Sequence, residues 1–348
     1  FIRGKRVMVT GAGGSIGSEL CRQLVSYDVE SLVMVERAEN ALHHISLEIQ
    51  QHFPEANVTA ALADIKHIPR MSEIFERTRP QVVFHAAAYK HVPILEDHPG
   101  EAVLNNIIGT KRLAEVAQKF DVNTFVFIST DKAVRPKSLM GATKKVSEKY
   151  ITALNRVLRR SSATGRGPRF FAVRFGNVLG SAGSVVPLFQ KQIEDGEPIT
   201  ITDPQMSRYF MTISEAVGLV LQSSTLDCEE DLFILNMGEA IKIDDLVNDL
   251  PLSTGLNPSQ VTKRYIGLRP GEKLHESLWD DEEVLASEYG MIFAVRQPQT
   301  SFGDMEERLN RLETLAMVGN VPALLRQIHD IIPSYAPSLR ESAFSVPE

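Results

Sequence analysis

Arg6-Val-Met-Val-Thr10 is a short apolar run, and it passes directly into Gly11-Ala-Gly-Gly14-Ser15-Ile16-Gly17. Ser15–Ser26 then places Ile16, Leu20 and Leu24 at helical spacing. A strand, a glycine turn and a helix in that order leave few folds open, because the turn sets the free N–H groups of the helix at the end of the strand. The rhythm then repeats. Apolar runs at 31–36, 58–63, 81–86, 124–129 and 169–175 alternate with helical segments, among them 38–52, 101–120 and 139–158. This alternation predicts an α/β fold, a doubly wound parallel Rossmann-like sheet with helices on both faces.

After Phe175 the rhythm breaks. Residues 176–183 are rich in glycine and serine and predict an irregular loop. A helix is expected over 185–195, a short strand over 199–202 and a helix over 213–223. A strand of the main sheet is expected to return near 231–237. Helices are expected over 243–250, 280–289, 305–316 and 321–331. The predicted division is a dinucleotide-binding region over 1–176 and a smaller C-terminal lobe over 177–348 that is interleaved with the sheet.

The 348 residues suffice for one large domain or two modest ones. A net charge of −7 argues against nucleic acid as the main partner. Cys21 and Cys228, the only cysteines, form neither a disulfide framework nor a metal cluster and read as two reduced thiols. No His/Cys/Asp set has metal-ligand spacing, so no metal is expected. There is no apolar run of membrane-spanning length and no signal peptide. The chain starts at Phe1 and enters a strand within a few residues, which reads as a fragment with a segment removed upstream.

Gly11, Gly14 and Gly17, with Ser15 and Ile16 between them, suit a pyrophosphate: glycine lets the backbone approach, and the helix dipole favours the anion. Glu36 ends the second strand, where a carboxylate accepts from a ribose hydroxyl. Asp64-Ile65 ends the third, beside the expected adenine edge. Ala86-Ala87-Ala88 ends the fourth and is small enough to pack on a nucleotide. Glu36 favours NAD, since a carboxylate repels the 2′-phosphate of NADP. Arg37 could bind that phosphate, which keeps NADP open, although a solvated surface charge is the simpler reading of it.

His85-Ala-Ala-Ala-Tyr-Lys-His-Val-Pro93, Asn106-Ile-Ile-Gly-Thr110, Ser129-Thr-Asp-Lys-Ala133, Arg174-Phe-Gly-Asn-Val-Leu-Gly180 and Leu268-Arg-Pro-Gly-Glu-Lys273 are long, specific motifs. Together they resemble the UDP-N-acetylglucosamine 4,6-dehydratases of bacterial capsule, O-antigen and protein-glycan biosynthesis, within the extended short-chain dehydrogenase/reductase superfamily. The resemblance runs from about residue 4 to residue 278. It implies a tightly held nicotinamide cofactor and a C-terminal lobe that binds the UDP-sugar. It also implies, in the long members, an N-terminal membrane region ahead of a cytoplasmic catalytic domain.

In that superfamily a tyrosine is expected four residues before the lysine at Lys144, on the same helical face. Here the position is Met140, so either the site is dead or its acid–base work has moved. The resemblance implies that methionine marks the subgroup that keeps the C5 configuration. It assigns Lys144 to the nicotinamide ribose, Asp131 as the acid at the departing C6 oxygen and Lys132 as the base at C5. Both can reach one sugar only if the strand has ended by Thr130, since consecutive strand residues face opposite ways. Thr130, with Ser129 close by, offers a hydroxyl near C4. Lys90 is a candidate contact to substrate or to Asp131. For the UDP moiety the expected contacts are Asn177, Ser184 and Val185 at a helix start, Arg208 and Arg269 on the diphosphate, Glu272 on ribose hydroxyls, and Lys191 more weakly.

Two other functions compete. A UDP-sugar 4-epimerase would use the same fold but would need the missing tyrosine and not the Asp131-Lys132 pair. A non-catalytic dinucleotide sensor would have no use for Asp131, Lys132, Lys144 and the arginines together. A homodimer or higher oligomer is expected through the helices 101–120 and 139–158, by way of Leu113, Val116 and Ile151.

Overall fold

The computed structural model describes residues 1–161, 167–226, 228–254, 262–280, 283–286 and 290–336. Strands β1 (Arg6–Thr10), β2 (Ser31–Glu36), β3 (Val58–Leu62), β4 (Val82–His85), β5 (Thr124–Ile128) and β6 (Arg169–Arg174) follow one another with helices between them. The helices are α1 (Ser15–Ser26), α2 (Glu39–His52), α3 (Ile68–Thr78), the short α4 (Val92–Asp97) and α5 (Pro99–Ala102), α6 (Gly109–Lys119) and α7 (Leu139–Ser161). A π-helical stretch, Val103–Ile108, joins α5 to α6. Apart from the ends of β1, β2 and β6, every residue of β1, β2, β4, β5 and β6 is buried. A sheet covered on both faces has no solvent side, which is why these strands read as unbroken apolar runs.

Past β6 come β7 (Asn177–Leu179), α8 (Val185–Glu194), β8 (Ile199–Ile201), β9 (Ser207–Arg208), β10 (Phe210–Thr212) and α9 (Ile213–Ser223). Thr212 and Glu215 start α9 with a reciprocal capping box. Next are β11 (Leu232–Leu235), β12 (Ile241–Lys242), α10 (Ile243–Thr254), β13 (Lys263–Tyr265), β14 (Glu283–Ala286), β15 (Ile292–Arg296), α11 (Phe302–Met317) and α12 (Val321–Ile331).

Among the described residues the main sheet has nine strands in the order β3-β2-β1-β4-β5-β6-β11-β15-β14. From β3 to β11 every neighbouring pair is parallel. The chain is a mixed α/β fold of the Rossmann-like kind. The strand order reverses between β1 and β4, and a crevice opens there at the carboxyl ends of the strands. A second, smaller apolar cluster, with Phe189, Ile199, Ile201, Met206, Ile243 and Val247, holds α8, β8 and α10 together.

Two expectations need correction. The helix expected over 280–289 is a strand where it is described: Glu283–Ala286 pairs antiparallel with β15, which pairs antiparallel with β11. Residues 281–282 and 287–289 lie outside the described set. β15 would otherwise leave a row of open N–H and C=O groups, and pairing them outweighs the local helical spacing. Leu113, Val116 and Ile151 form no outward face; all three are buried in the main core. Helix α11 packs on α7 and on the π-helical stretch, and α12 packs on α7 as well, so the C-terminal helices cover what looked free. No helix among the described residues is long and apolar enough to cross a membrane.

Candidate functional site

Gly11 has φ +71, and a Cβ there would lie 2.7 Å from the backbone of Ala87. At Gly17 a Cβ would lie 2.0 Å from the Gly11 carbonyl oxygen. These two glycines let β1, β4 and α1 converge. Beside them is a cleft of about 230 Å³ lined by Gly14, Glu36, Arg37, Ile65 and Ala86 to Ala88. The Glu36 carboxylate is pinned: Oε1 accepts from the N–H groups of Arg37 and Ala38, both at 2.9 Å, and Oε2 from Gly13 N–H at 3.2 Å. Asp64 Oδ1 accepts from Lys66 N–H at 2.8 Å, which turns the chain at the end of β3.

Arg37 is exposed at the surface, as expected, but has partners there. Its guanidinium sits 4.5 Å over the Tyr89 ring and 3.9 Å from Asp64 Oδ2, so it roofs the cleft. Tyr89 and Asn105 also line the cleft and were not expected. The signal for Tyr89 was its place directly after the alanines that end β4. Asn105 comes from the π-helical stretch, where the wide turn puts two adjacent asparagines against β4: Asn106 accepts from Tyr89 N–H at 2.9 Å and donates to Tyr89 O at 3.1 Å. A cleft of this shape, with close backbone, small side chains and a fixed carboxylate, fits a dinucleotide.

β5 ends at Ile128, Thr130 is extended, and Asp131–Ala133 forms a 3₁₀ turn capped by Thr130 Oγ1. The strand has therefore ended in time for adjacent side chains to meet. Lys132 Nζ donates to Asp131 Oδ1 and to Asn177 Oδ1, each at 3.0 Å. Thr130 Oγ1 donates to Asp131 Oδ1 at 2.9 Å. Asp131 is fully buried, and its Oδ2 has no hydrogen-bond partner. Gly176 makes room for it: a Cβ there would lie 3.3 Å from Oδ2 and 2.9 Å from Tyr209 Cβ. Ser129 is not available to a sugar, because its Oγ donates to Glu148 Oε1 at 2.6 Å.

Lys144 is buried on α7. Its Nζ donates to Ile128 O at 2.8 Å and sits 4.4 Å over the Phe127 ring. Burial lowers its pKa to about 7, against the opposing pull of the Glu148 carboxylate. Met140, one turn earlier, is buried in the core. Its side chain has no ionisable group. His85 is fully buried below, bonded to Thr10 Oγ1 at 2.8 Å and to Thr110 Oγ1 at 2.9 Å. Thr110 already donates to Asn106 O, so it accepts from His85 Nε2–H, and Nδ1 accepts from Thr10. Burial and the nearby Lys144 hold His85 well below its ordinary pKa and therefore neutral.

A second cavity, of about 120 Å³, runs from Lys132 to Arg208, Glu272, Lys273 and Glu276. Arg208 is largely committed: it donates to the carbonyls of Ser207, Lys273 and Leu274 at 2.7–3.0 Å. Glu272 Oε2 accepts from Arg269 N–H at 3.1 Å in an exposed turn; Glu272 lines this cavity and Arg269 does not. Lys273 Nζ lies 3.0 Å from Glu276 Oε2, but without hydrogen-bonding geometry; its good bond, at 2.6 Å, goes to Val134 O. Lys90 does not reach Asp131. It donates to Ala182 O at 2.6 Å, while Ala182 N–H donates to Ser15 Oγ at 3.1 Å, so the 180–184 loop bridges the glycine turn and Lys90. Ser184 caps α8 by position, and Val185 opens it, but the Ser184 Oγ is buried without a partner. Lys191 is exposed in the last turn of α8, away from both cavities.

The family profile described as polysaccharide biosynthesis protein matches residues 7–297. The chain is 44% identical over 330 residues to the probable polysaccharide biosynthesis protein EpsC of Bacillus subtilis, covering 94% of this chain and 51% of that protein. The chain thus spans about half the length of that relative. It is 32% identical to a UDP-N-acetylglucosamine 4,6-dehydratase (inverting) of Campylobacter jejuni, with 87% of this chain and 85% of that protein covered. It is 31% identical to a UDP-glucose 4-epimerase of Rickettsia canadensis, with 82% and 80% covered. Among solved structures, Pen from Bacillus thuringiensis superposes with a TM-score of 0.76 at 33% identity, covering 86% of this chain and 91% of that one.

Proposed function

The chain belongs to the polysaccharide biosynthesis protein family, and we propose that it catalyses the NAD-dependent 4,6-dehydration of UDP-N-acetylglucosamine. The product is a UDP-4-keto-6-deoxy-N-acetylhexosamine for a bacterial surface polysaccharide or glycan. One observation carries this reading: Asp131 and Lys132 meet at 3.0 Å just past the carboxyl end of β5, and Lys132 lines the Arg208–Glu272 cavity. An acid and a base held together are what an elimination across C5 and C6 requires. A 4-epimerase needs neither, and it needs a proton-transferring side chain where Met140 stands.

When bound, the dinucleotide supplies a hydride acceptor for C4 and, within the same turnover, a hydride donor for C6. The side chains manage the protons. One proton shift from Lys132 Nζ to Asp131 Oδ1 turns the charged pair into a neutral acid and a neutral amine. The amine takes the C5 proton and the acid protonates the leaving C6 oxygen, which returns the pair to its charged form. The Lys132 ammonium exchanges its protons with solvent and later delivers one of them to C5. The C4 hydroxyl proton leaves through Thr130 to water, and one proton taken back from water resets the pair. Lys144 would hold the ribose of the bound dinucleotide, and its positive charge would favour ionisation of nearby hydroxyls.

Glu36, fixed by three N–H groups, supports NAD over NADP. Met140 supports retention at C5, because the pair alone then serves the C5 proton on one face. Lys132→Ala and Asp131→Asn test the assignment: each should abolish release of water from the sugar while dinucleotide binding persists. Variants that still dehydrate UDP-N-acetylglucosamine at the parent rate refute it.

A further inference from the structure

We propose that Glu148 is a positioning residue for the proposed acid–base pair, holding the Thr130–Lys132 turn through Ser129 and linking it to Lys144. This rests on the reading of Asp131 and Lys132 given above.

Glu148 is fully buried on α7, one turn after Lys144 and on the same face. Its Oε1 accepts from Ser129 Oγ at 2.6 Å and from Arg174 Nε at 2.7 Å; its Oε2 accepts from Arg174 Nη2 at 2.8 Å. Arg174, at the end of β6, is fully buried as well. The carboxylate thus joins the ends of β5 and β6 to α7 from beneath the site.

A pair that served only to fix β6 to α7 would need Arg174 alone. A buried ion pair is also a weak source of net stability, because desolvation offsets most of its attraction. The extra bond to Ser129 is what points to another role. Ser129 is the last residue before the Thr130–Lys132 turn, and its N–H is held by Val173 O at 2.8 Å. Two residues on, Asp131 N–H is held by Phe175 O at 3.0 Å. Lys144 holds the carbonyl of the preceding residue, Ile128. The Ser129–Glu148 bond is the side-chain to side-chain member of this set, charge-assisted and with both partners buried.

Around Lys144 the titratable groups are Glu148 on its own helix and His85 from β4; Arg174 from β6 and Lys145 from α7 face Glu148. Glu148 therefore touches one half of the site through a hydrogen bond and the other through its field. A single carboxylate keeps the cofactor-side lysine and the sugar-side turn in register.

Ser129→Ala is the first test, since it leaves the Glu148–Arg174 pair whole. With UDP-N-acetylglucosamine, kcat should fall between about tenfold and a hundredfold, the loss expected for a misplacement of up to an ångström. KM should stay within about twofold. The unfolding midpoint and the bound dinucleotide should match the parent protein. Glu148→Gln alone would strand a buried cation, so the second variant is the double substitution Glu148→Gln with Arg174→Gln, which keeps neutral hydrogen bonding. It should show the same kcat loss, and the alkaline limb of kcat should move to lower pH because Lys144 loses its anionic neighbour. An unchanged kcat in Ser129→Ala, or a parallel fall in kcat, KM behaviour and stability, overturns the proposal. If the parent protein releases no water, or Lys132→Ala remains active, the underlying reading fails instead.

Discussion

Replacing Gly141 with alanine tests how the turn bearing Lys132 is held. Gly141 lies in the first turn of α7, and its N–H donates to Ser138 Oγ at 3.1 Å. A Cβ at this position would fall 2.2 Å from the carbonyl oxygen of Lys132 and 3.2 Å from Pro136 Cβ. That is about 1 Å inside ordinary van der Waals contact. Neither side yields freely. The start of α7 is fixed by Leu139 N–H donating to Glu96 at 2.6 Å, and the turn is fixed by Asp131 N–H on Phe175 O. Overpacking of this kind costs about 1–3 kcal/mol, which lowers the unfolding midpoint of a chain this long by roughly 1–4 °C. The larger effect falls on catalysis. Moving Lys132 Nζ by about 1 Å relative to C5 should slow elimination about a hundredfold, equal to about 2.7 kcal/mol on the barrier. The assay is turnover of saturating UDP-N-acetylglucosamine, followed by product mass at a temperature below the variant's midpoint. A folded Gly141→Ala protein with the parent kcat would refute the claim that α7 sets the position of Lys132.

Three further predictions concern the neighbours of that turn. Lys144, with its pKa lowered to about 7 by burial, should give kcat a descending limb as pH rises through that region, read from the pH–rate profile. In the dinucleotide-free protein the sign for stability is opposite: between about 7 and the ordinary lysine value the unfolded chain binds more protons, so stability should rise with pH, as denaturant unfolding at two pH values would show. Met140→Leu should keep dehydration within about threefold, because the buried methionine acts through packing and leucine conserves its volume; a loss beyond tenfold would assign it a chemical role.

The parallel part of the sheet was legible because burial on both faces writes unbroken apolar runs into the chain, and the glycine turn fixes where the first helix begins. The β14–β15 edge was not: Glu283–Ala286 is four residues long, and its conformation is decided by pairing with Ile292–Arg296. The acid–base stretch could be read because Asp131 and Lys132 are adjacent; whether they meet depended on a strand end that only tertiary structure shows. Ser129 and Lys90 looked like site groups, yet one is bound to Glu148 and the other to Ala182 O. Arg37 is exposed, as a solvated charge would be, and its stacking on Tyr89 adds a contact the sequence did not show. In each case the deciding partner lies far away in sequence. The Glu148–Arg174 pair left one faint trace, a carboxylate on the same helical face as Lys144.

The most direct measurement is the mass of the product formed from UDP-N-acetylglucosamine in heavy water. Elimination through Asp131 and Lys132 predicts a product that has lost one water and carries one deuterium, at C5. A sugar nucleotide of unchanged mass, as 4-epimerisation or inactivity would give, contradicts the account.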